Sequence, residues 1–269
     1  MTGRVAKRLG WLVGAFSVLM PALAQAICVP VAQGPMRPTL ANYRLAAVAP
    51  GHVSLTYIGH SSFVIETAAG VTAVTDYNGF HKPPFIPTLV TMNNAHSTHF
   101  TDHPEAQIKH VLRGWGTADE QTRYNVTEQD LRVHNVQTNI REYGSTRLNG
   151  NSIFVFETAG LCIAHLGHLH HTLTDQHIGA LGKIDVLLVP VDGMYTMDQF
   201  DMIEVIKQIK APLIVPMHYF SEQRLSRFLL RLQADANYTI SRNTTPSLTL
   251  SPASLPHPKR PEVWVLPGN

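Results

Sequence analysis

Charge is scarce in this 269-residue chain: 15% of residues are Asp, Glu, Lys or Arg, and 21 basic side chains nearly cancel 19 acidic ones. A net charge of +2 provides no basic field to hold a nucleic-acid backbone, so no polyanion partner is read from it. Cysteine is rarer still. Two residues, Cys28 and Cys162, build neither a disulfide-dense scaffold nor a thiolate zinc finger. No long apolar run follows the amino-terminal segment, and no Gly-x-Ser-x-Gly elbow of a serine hydrolase occurs. Hydrophobic residues, at 44%, still suffice for a folded core. Histidine is the exception to this scarcity, with 15 copies. Neutral imidazole is a common metal ligand, so the placement of these residues decides what they mean.

The first segment reads as a targeting signal. Arg4, Lys7 and Arg8 open it without an acidic residue, Leu9 to Leu23 is largely apolar, and Ala24-Gln25-Ala26 supplies a small-x-small cleavage site. The competing reading, an uncleaved anchor, needs an apolar span of about 20 residues. Cleavage after Ala26 is therefore expected, leaving a single domain over 27–269 that is periplasmic or secreted and free of the membrane. Ile27 before Cys28 does not fit a lipoprotein box. Loss of the three basic residues brings the mature chain close to neutrality. In an oxidising compartment Cys28 and Cys162 either bridge or remain as two buried thiols; both readings stand.

Short β-branched and aromatic runs at Val53–Ile58, Phe63–Glu66 and Val71–Val74 predict a meander. Thr88–Met92 is a further strand candidate, and Ile153–Glu157 with Leu161–Ala164 flank Thr158-Ala159-Gly160 as a hairpin. Val186–Val191 is apolar throughout, as in a strand buried on both faces. Met197–Ile209 and Glu222–Leu232 have helical spacing, with Leu213–Pro216 strand-like between them. Leu248–Leu250 and Val263–Leu266 are short strand-like pieces near the end. Strand clusters followed by strand–helix alternation predict one α/β domain on two sheets.

Histidines gather where these strands end: His96 and His99 after Thr88–Met92, His165 and His168 after the hairpin, and His218 after Leu213–Pro216. A lone histidine is most simply a surface or core residue. Three strand-end clusters together point to a metal site. His110, His134, His177 and His257 show no such pattern and are read as structural or surface residues.

Thr56-Tyr57-Ile58-Gly59-His60-Ser61-Ser62-Phe63 resembles the opening signature of metallo-β-lactamase-fold hydrolases, in the branch containing the ascorbate-phosphate lactonase. Asp76 falls where that branch has a second-strand Asp. Leu187–Tyr195, with its Pro-Val-x-Gly-x-Tyr core, and Pro216-Met217-His218-Tyr219 are similar too. The resemblance runs from about Val53 to Tyr219. It implies an α/β fold of the αββα four-layer sandwich type, with metal at one sheet edge.

The motif departs from its relatives at telling positions. His-x-His-x-Asp-His reads here as Asn94-Ala95-His96-Ser97-Thr98-His99, so the first His is Asn and the Asp is Thr. His-x-Gly-Asp reads as His165-Leu166-Gly167-His168, so the bridging Asp is His. A shifted register bringing in Asp102 and His103 is the alternative. Without carboxylates that bridge two cations, a di-zinc centre is disfavoured. One divalent metal, zinc with iron or manganese as alternatives, would take His99, His168 and His218 as three neutral ligands and hold a water whose pKa falls toward about 7. His96 and His165, with Asn94 as a weak donor, would occupy the former first-metal pocket. Asp76 would orient one imidazole, and His60 and Tyr195 would line the cleft, the phenol facing an oxyanion.

These residues support a metal-dependent hydrolase of a small-molecule ester, lactone or phosphoester. The runner-up is a non-catalytic descendant that binds a metal or ligand. A purely structural domain leaves the strand-end histidines unexplained.

Overall fold

The structure is a computed structural model that describes residues 47–268 except 94, 95, 143, 236 and 237. The expected signal segment, Cys28 and Asn94 lie outside the described residues.

The first half of the chain forms β1 (Val53–Gly59), β2 (Ser62–Thr67), β3 (Thr72–Val74), β4 (Leu89–Met92), β5 (His110–Arg113), β6 (Asn125–Glu128) and β7 (Leu131–Glu142). Then come β8 (Ser145–Thr158), β9 (Leu161–His165), α1 (Asp175–Leu181), β10 (Val186–Pro190), α2 (Gln199–Ile209), β11 (Leu213–Met217) and α3 (Glu222–Asp235). Three strands, β12 (Thr239–Arg242), β13 (Ser247–Leu250) and β14 (Glu262–Val265), end the order.

They build two sheets. One has six strands in the order β13-β1-β2-β3-β4-β5, and the other eight in the order β12-β14-β11-β10-β9-β8-β7-β6. Strand pleat explains how the sheets stack. Val186 and Leu188 of β10 join Phe154, Phe156 and Ile163 in a core facing Leu55, Phe63 and Ile65 of the first sheet. Leu187 and Val189, one residue out of step, face the other way and pack with Met202 and Ile206 of α2 and Leu225 and Phe228 of α3. An all-apolar strand is what this double burial demands. The outer face of the first sheet is closed by Phe85, Phe100 and Trp115 from loops. The αββα sandwich expected from the resemblance is borne out, with one outer layer carried largely by loops.

The hairpin is also found where expected. Its turn residues Ala159 and Gly160 both have positive φ, 52° and 73°, which matches strand twist in a two-residue turn. Five elements were not expected: β5, β6, β7, α1 and β12. The 12-residue β7 is rich in Asn and Gln, which have low strand propensity, yet it pairs with β8 from Arg132↔Glu157 to Glu142↔Ser145. Helix α1 is short and is held by a capping box between Thr174 and His177. Cys162 on β9 is buried and disulfide-bonded. No helix among the described residues is long and apolar enough to cross a membrane.

Candidate metal centre

Loops leaving the strand ends supply every polar side chain of the site. His60 follows β1, Asp76 follows β3, and His96 and His99 follow β4 in the first sheet. His168 follows β9, Asp192 follows β10 and His218 follows β11 in the second. The two sheets meet here directly: the His218 amide donates to the His60 carbonyl at 2.7 Å. His60, Asp76 and His218 all have positive φ, 53°, 43° and 53°, so the chain turns sharply as it leaves each strand.

The ligand atoms of His96, His99, His168 and His218 lie within 4.8 Å of one another. His99 Nε2 is 3.0 Å from His218 Nε2, and His96 Nε2 is 3.0 Å from His168 Nε2. About 3.3 Å separates nitrogens around a tetrahedral zinc ion with bonds near 2.0–2.1 Å. The four imidazoles thus converge on one point at ligand spacing.

Their outer nitrogens show what this point needs. His99 Nδ1 donates to Asp76 Oδ2 at 2.5 Å, and His218 Nδ1 donates to Asp192 Oδ1 at 3.1 Å. A neutral imidazole has a single N–H, so in both rings Nε2 is left as a bare lone pair. These two lone pairs face each other at 3.0 Å with no proton to share. A cation placed between them would satisfy both. His96 Nδ1 lies 2.8 Å from Thr98 Oγ1, whose hydroxyl also lies 2.9 Å from His60 Nε2. His168 is different. The Arg141 amide donates to His170 Nδ1 at 2.7 Å, leaving the His170 proton on Nε2, 2.5 Å from His168 Nδ1. His96, His99 and His218 present ligating tautomers as they stand; His168 does so once His170 releases the Arg141 amide. With that adjustment the donor set fits a single divalent ion.

Electrostatics agree. Burial, followed by neighbouring imidazoles, lowers His60 to about 3 and His96 to about 4. Burial also lowers His99 and His168, so these rings are neutral near pH 7. Burial works against charge on Asp76, but His99, His165 and the hydrogen bond from Asn93 hold its carboxyl at about 2. Asp192 is likewise kept well below its ordinary value: burial opposes its charge, and His218, Thr196 and the Met194 amide outweigh it. Imidazole ligands backed by two buried carboxylates make a cage suited to a dication.

Of the residues singled out by sequence, His96, His99, His168 and His218 are brought together. His96 stands with the other three rather than in a separate pocket. His165 does not join them. Its Nε2 donates to the Ser61 carbonyl at 2.8 Å and its Nδ1 accepts from the Gly167 amide at 3.2 Å, so both nitrogens are used within the fold. Asp76 holds His99. His60 packs on His218 with ring centroids 4.2 Å apart. Tyr195 is exposed and meets the cluster through Phe220, not directly. Asp102 and His103 of the alternative register are exposed and outside the cluster. Of the remaining histidines, His110 contacts Glu128 at 3.0 Å and His177 caps α1.

Three contributors were missed. Asp192 is the unassigned position of Pro-Val-x-Gly-x-Tyr; its signal was its place directly after an apolar strand, as for Asp76. His170 and Asn93 were hidden inside His-rich and Asn-rich runs. Asn93 bridges the sheets: its amide donates to Asp76 Oδ1 at 3.1 Å, and its Oδ1 accepts from the Ser152 amide of β8 at 2.8 Å.

Comparisons with known proteins place this geometry. The family model described as beta-lactamase superfamily domain matches residues 54–218. A UPF0173 metal-dependent hydrolase of Opitutus terrae is 27% identical over 211 residues, 69% of this chain and 92% of that protein. Another, of Thermoplasma acidophilum, is 25% identical over 185 residues, 63% of this chain and 80% of its own. Among solved structures, a Thermotoga maritima protein described as a Zn-dependent hydrolase of the metallo-beta-lactamase superfamily has 28% identity and a TM-score of 0.56, covering 81% of this chain and all 100% of that one. A metallo hydrolase from Ignicoccus hospitalis shares the fold at 21% identity and a TM-score of 0.53, covering 74% of this chain and 99% of its own. The narrower likeness to the lactonase branch remains an expectation from sequence. With the family model spanning 54–218 and the histidine cluster at its expected sheet edge, the chain belongs to the metallo-β-lactamase superfamily.

Proposed function

We propose that this protein is an exported, metal-dependent hydrolase that works with one divalent ion per chain on an ester, lactone or phosphoester. The carrying observation is the pair of opposed lone pairs on His99 and His218, whose protons are both committed to buried carboxylates. Hydrolase names among the relatives support the reaction class. The basic, apolar and small-residue segments before Ile27 support export.

His96, His99, His168 and His218 would hold the ion, and none of them is a carboxylate. Two dications in contact need anionic bridging ligands, so this set favours one. When bound, such an ion supplies Lewis acidity and lowers the pKa of a coordinated water. The residues of the chain do the rest. Asp76 and Asp192 fix the His99 and His218 rings and balance the charge. Thr98 Oγ1 ties His60 to His96 and sets the edge of the cleft. His60 is kept neutral, so its nitrogen hydrogen-bonds without adding charge near the ion.

One observation favours a second reading, a metal-binding protein without catalysis: four histidines converge, and an ion held by all four would have the usual four-ligand complement of a structural site supplied by protein. Metal analysis of the mature chain, alongside a hydrolysis panel of lactones, carboxylic esters, phosphodiesters and β-lactams, separates the two. The hydrolase reading expects about one ion per chain and turnover abolished by chelation. One tightly held ion with no turnover supports the second reading, and no metal uptake from zinc, iron or manganese sinks both.

A further inference from the structure

We propose that the mouth of this centre selects substrates with an uncharged apolar acyl chain beside the bond to be cut. The proposal rests on the hydrolase reading and narrows its substrate class. Large hydrophobic side chains stand open to solvent beside the cluster: Phe220 is 54% exposed, Tyr195 59% and Met194 58%. Exposed apolar surface gathered at a site with converging polar groups marks a binding surface.

Phe220 lies against the centre, and the backbone around the others is tied to it. The Phe220 ring lies 5.4 Å from His218 and 5.5 Å from His60, and the Tyr195 ring meets Phe220 edge-on at 5.4 Å. The amides of Met194 and Tyr195 donate to Asp192 Oδ2, at 2.8 and 2.5 Å, and the other oxygen of that carboxylate orients His218. Beside His60, Asn78 Oδ1 accepts from the amides of Phe80 and His81 at 2.8 Å, and the His81 ring stacks near His60 at 6.2 Å. The apolar side chains are thus an extension of the metal cage.

The adjacent cations are engaged in ordering the same loop. Arg224 Nη1 donates to the Asp192 carbonyl at 2.9 Å, its Nη2 meets Met194 Sδ at 2.7 Å, and Arg141 Nη2 donates to the Thr196 carbonyl. Neither guanidinium is presented as a bidentate phosphate clamp.

Binding tests this apart from turnover. Metal-loaded protein would be titrated calorimetrically with acetanilide and hexananilide, amides that differ by four methylenes. A fully buried methylene is worth a factor of about 4 in affinity. The longer amide should therefore bind at least about 10-fold more tightly to the unaltered protein. In Phe220→Ala and Tyr195→Ala the ratio should fall below about 3-fold, whereas Leu230→Ala, an exposed position on α3, should preserve it. Equal affinity for the two amides overturns the proposal, as does a ratio unmoved by both mouth variants. If the ratio holds but the matching phenyl esters are not hydrolysed, the apolar mouth stands and the hydrolase reading fails. Tighter binding of diphenyl phosphate than of hexananilide, with the ratio lost, assigns the mouth to anions and also overturns it.

Discussion

His99 and His218 are each backed by a carboxylate, His96 by a threonine hydroxyl and His168 by another imidazole. A carboxylate behind the ring strengthens and orients the ligand more than a hydroxyl does. His96→Ala is therefore expected to retain one ion per chain, whereas His218→Ala loses it, as read by equilibrium dialysis with metal analysis. Equal loss in the two variants would refute this ranking. Asp192→Asn should weaken binding by about 10- to 100-fold, the usual effect of removing such a support. The clustered histidines were legible in sequence because a histidine at a strand end is conspicuous among apolar neighbours. Their supports were not. An Asp after a strand has many ordinary uses, and only the three-dimensional approach of His218 Nδ1 distinguishes Asp192 from a turn residue.

Among the loops, the turn from β9 to His168 is tightly constrained. Gly167 has a φ of +60°, and a Cβ there would lie 2.4 Å from Asn93 Nδ2 and 2.5 Å from Asn151 Oδ1. Both amides serve the centre, since Asn93 donates to Asp76 and Asn151 Oδ1 accepts from the His168 amide. Gly167→Ala should destabilise by about 3 kcal/mol, combining left-handed strain with overpacking. Gly144→Ala, where φ is +82° and nothing lies within 4 Å, should cost about 1 kcal/mol. Urea denaturation midpoints compare the two, and equal losses would show that packing at Gly167 is not limiting. Strands such as β1, β10 and β11 were readable because burial on one or both faces leaves a periodic apolar pattern. β7 was not, because its stability comes from pairing with β8, and Asn135, Gln137 and Asn139 carry no strand signal of their own.

For the molecule as a whole, the centre makes stability depend on pH in a fixed direction. His60 and His96 titrate near 6.5 when unfolded but at about 3 and about 4 when folded, so between these values the unfolded chain binds more protons. Stability of the metal-free protein should thus fall as pH drops below about 6.5. Asp76, held at about 2 against an ordinary 3.8, adds a further loss below pH 4. Melting temperatures at pH 8, 6.5, 5 and 4 check this, and a flat profile from 8 to 5 would show that the imidazoles are charged in the fold. Sequence established the sandwich and the sheet edge that carries the site; the mutual protonation of four rings depends on distances no linear pattern encodes. The Asn93 bridge gives this coupling a reach beyond the ligands. One buried side chain holds both Asp76 and the Ser152 amide, so order gained at the centre should pass to the second sheet. Hydrogen–deuterium exchange at Ser152 should therefore slow when metal is added, so strand β8 would report occupancy of a site at the edge of the sandwich.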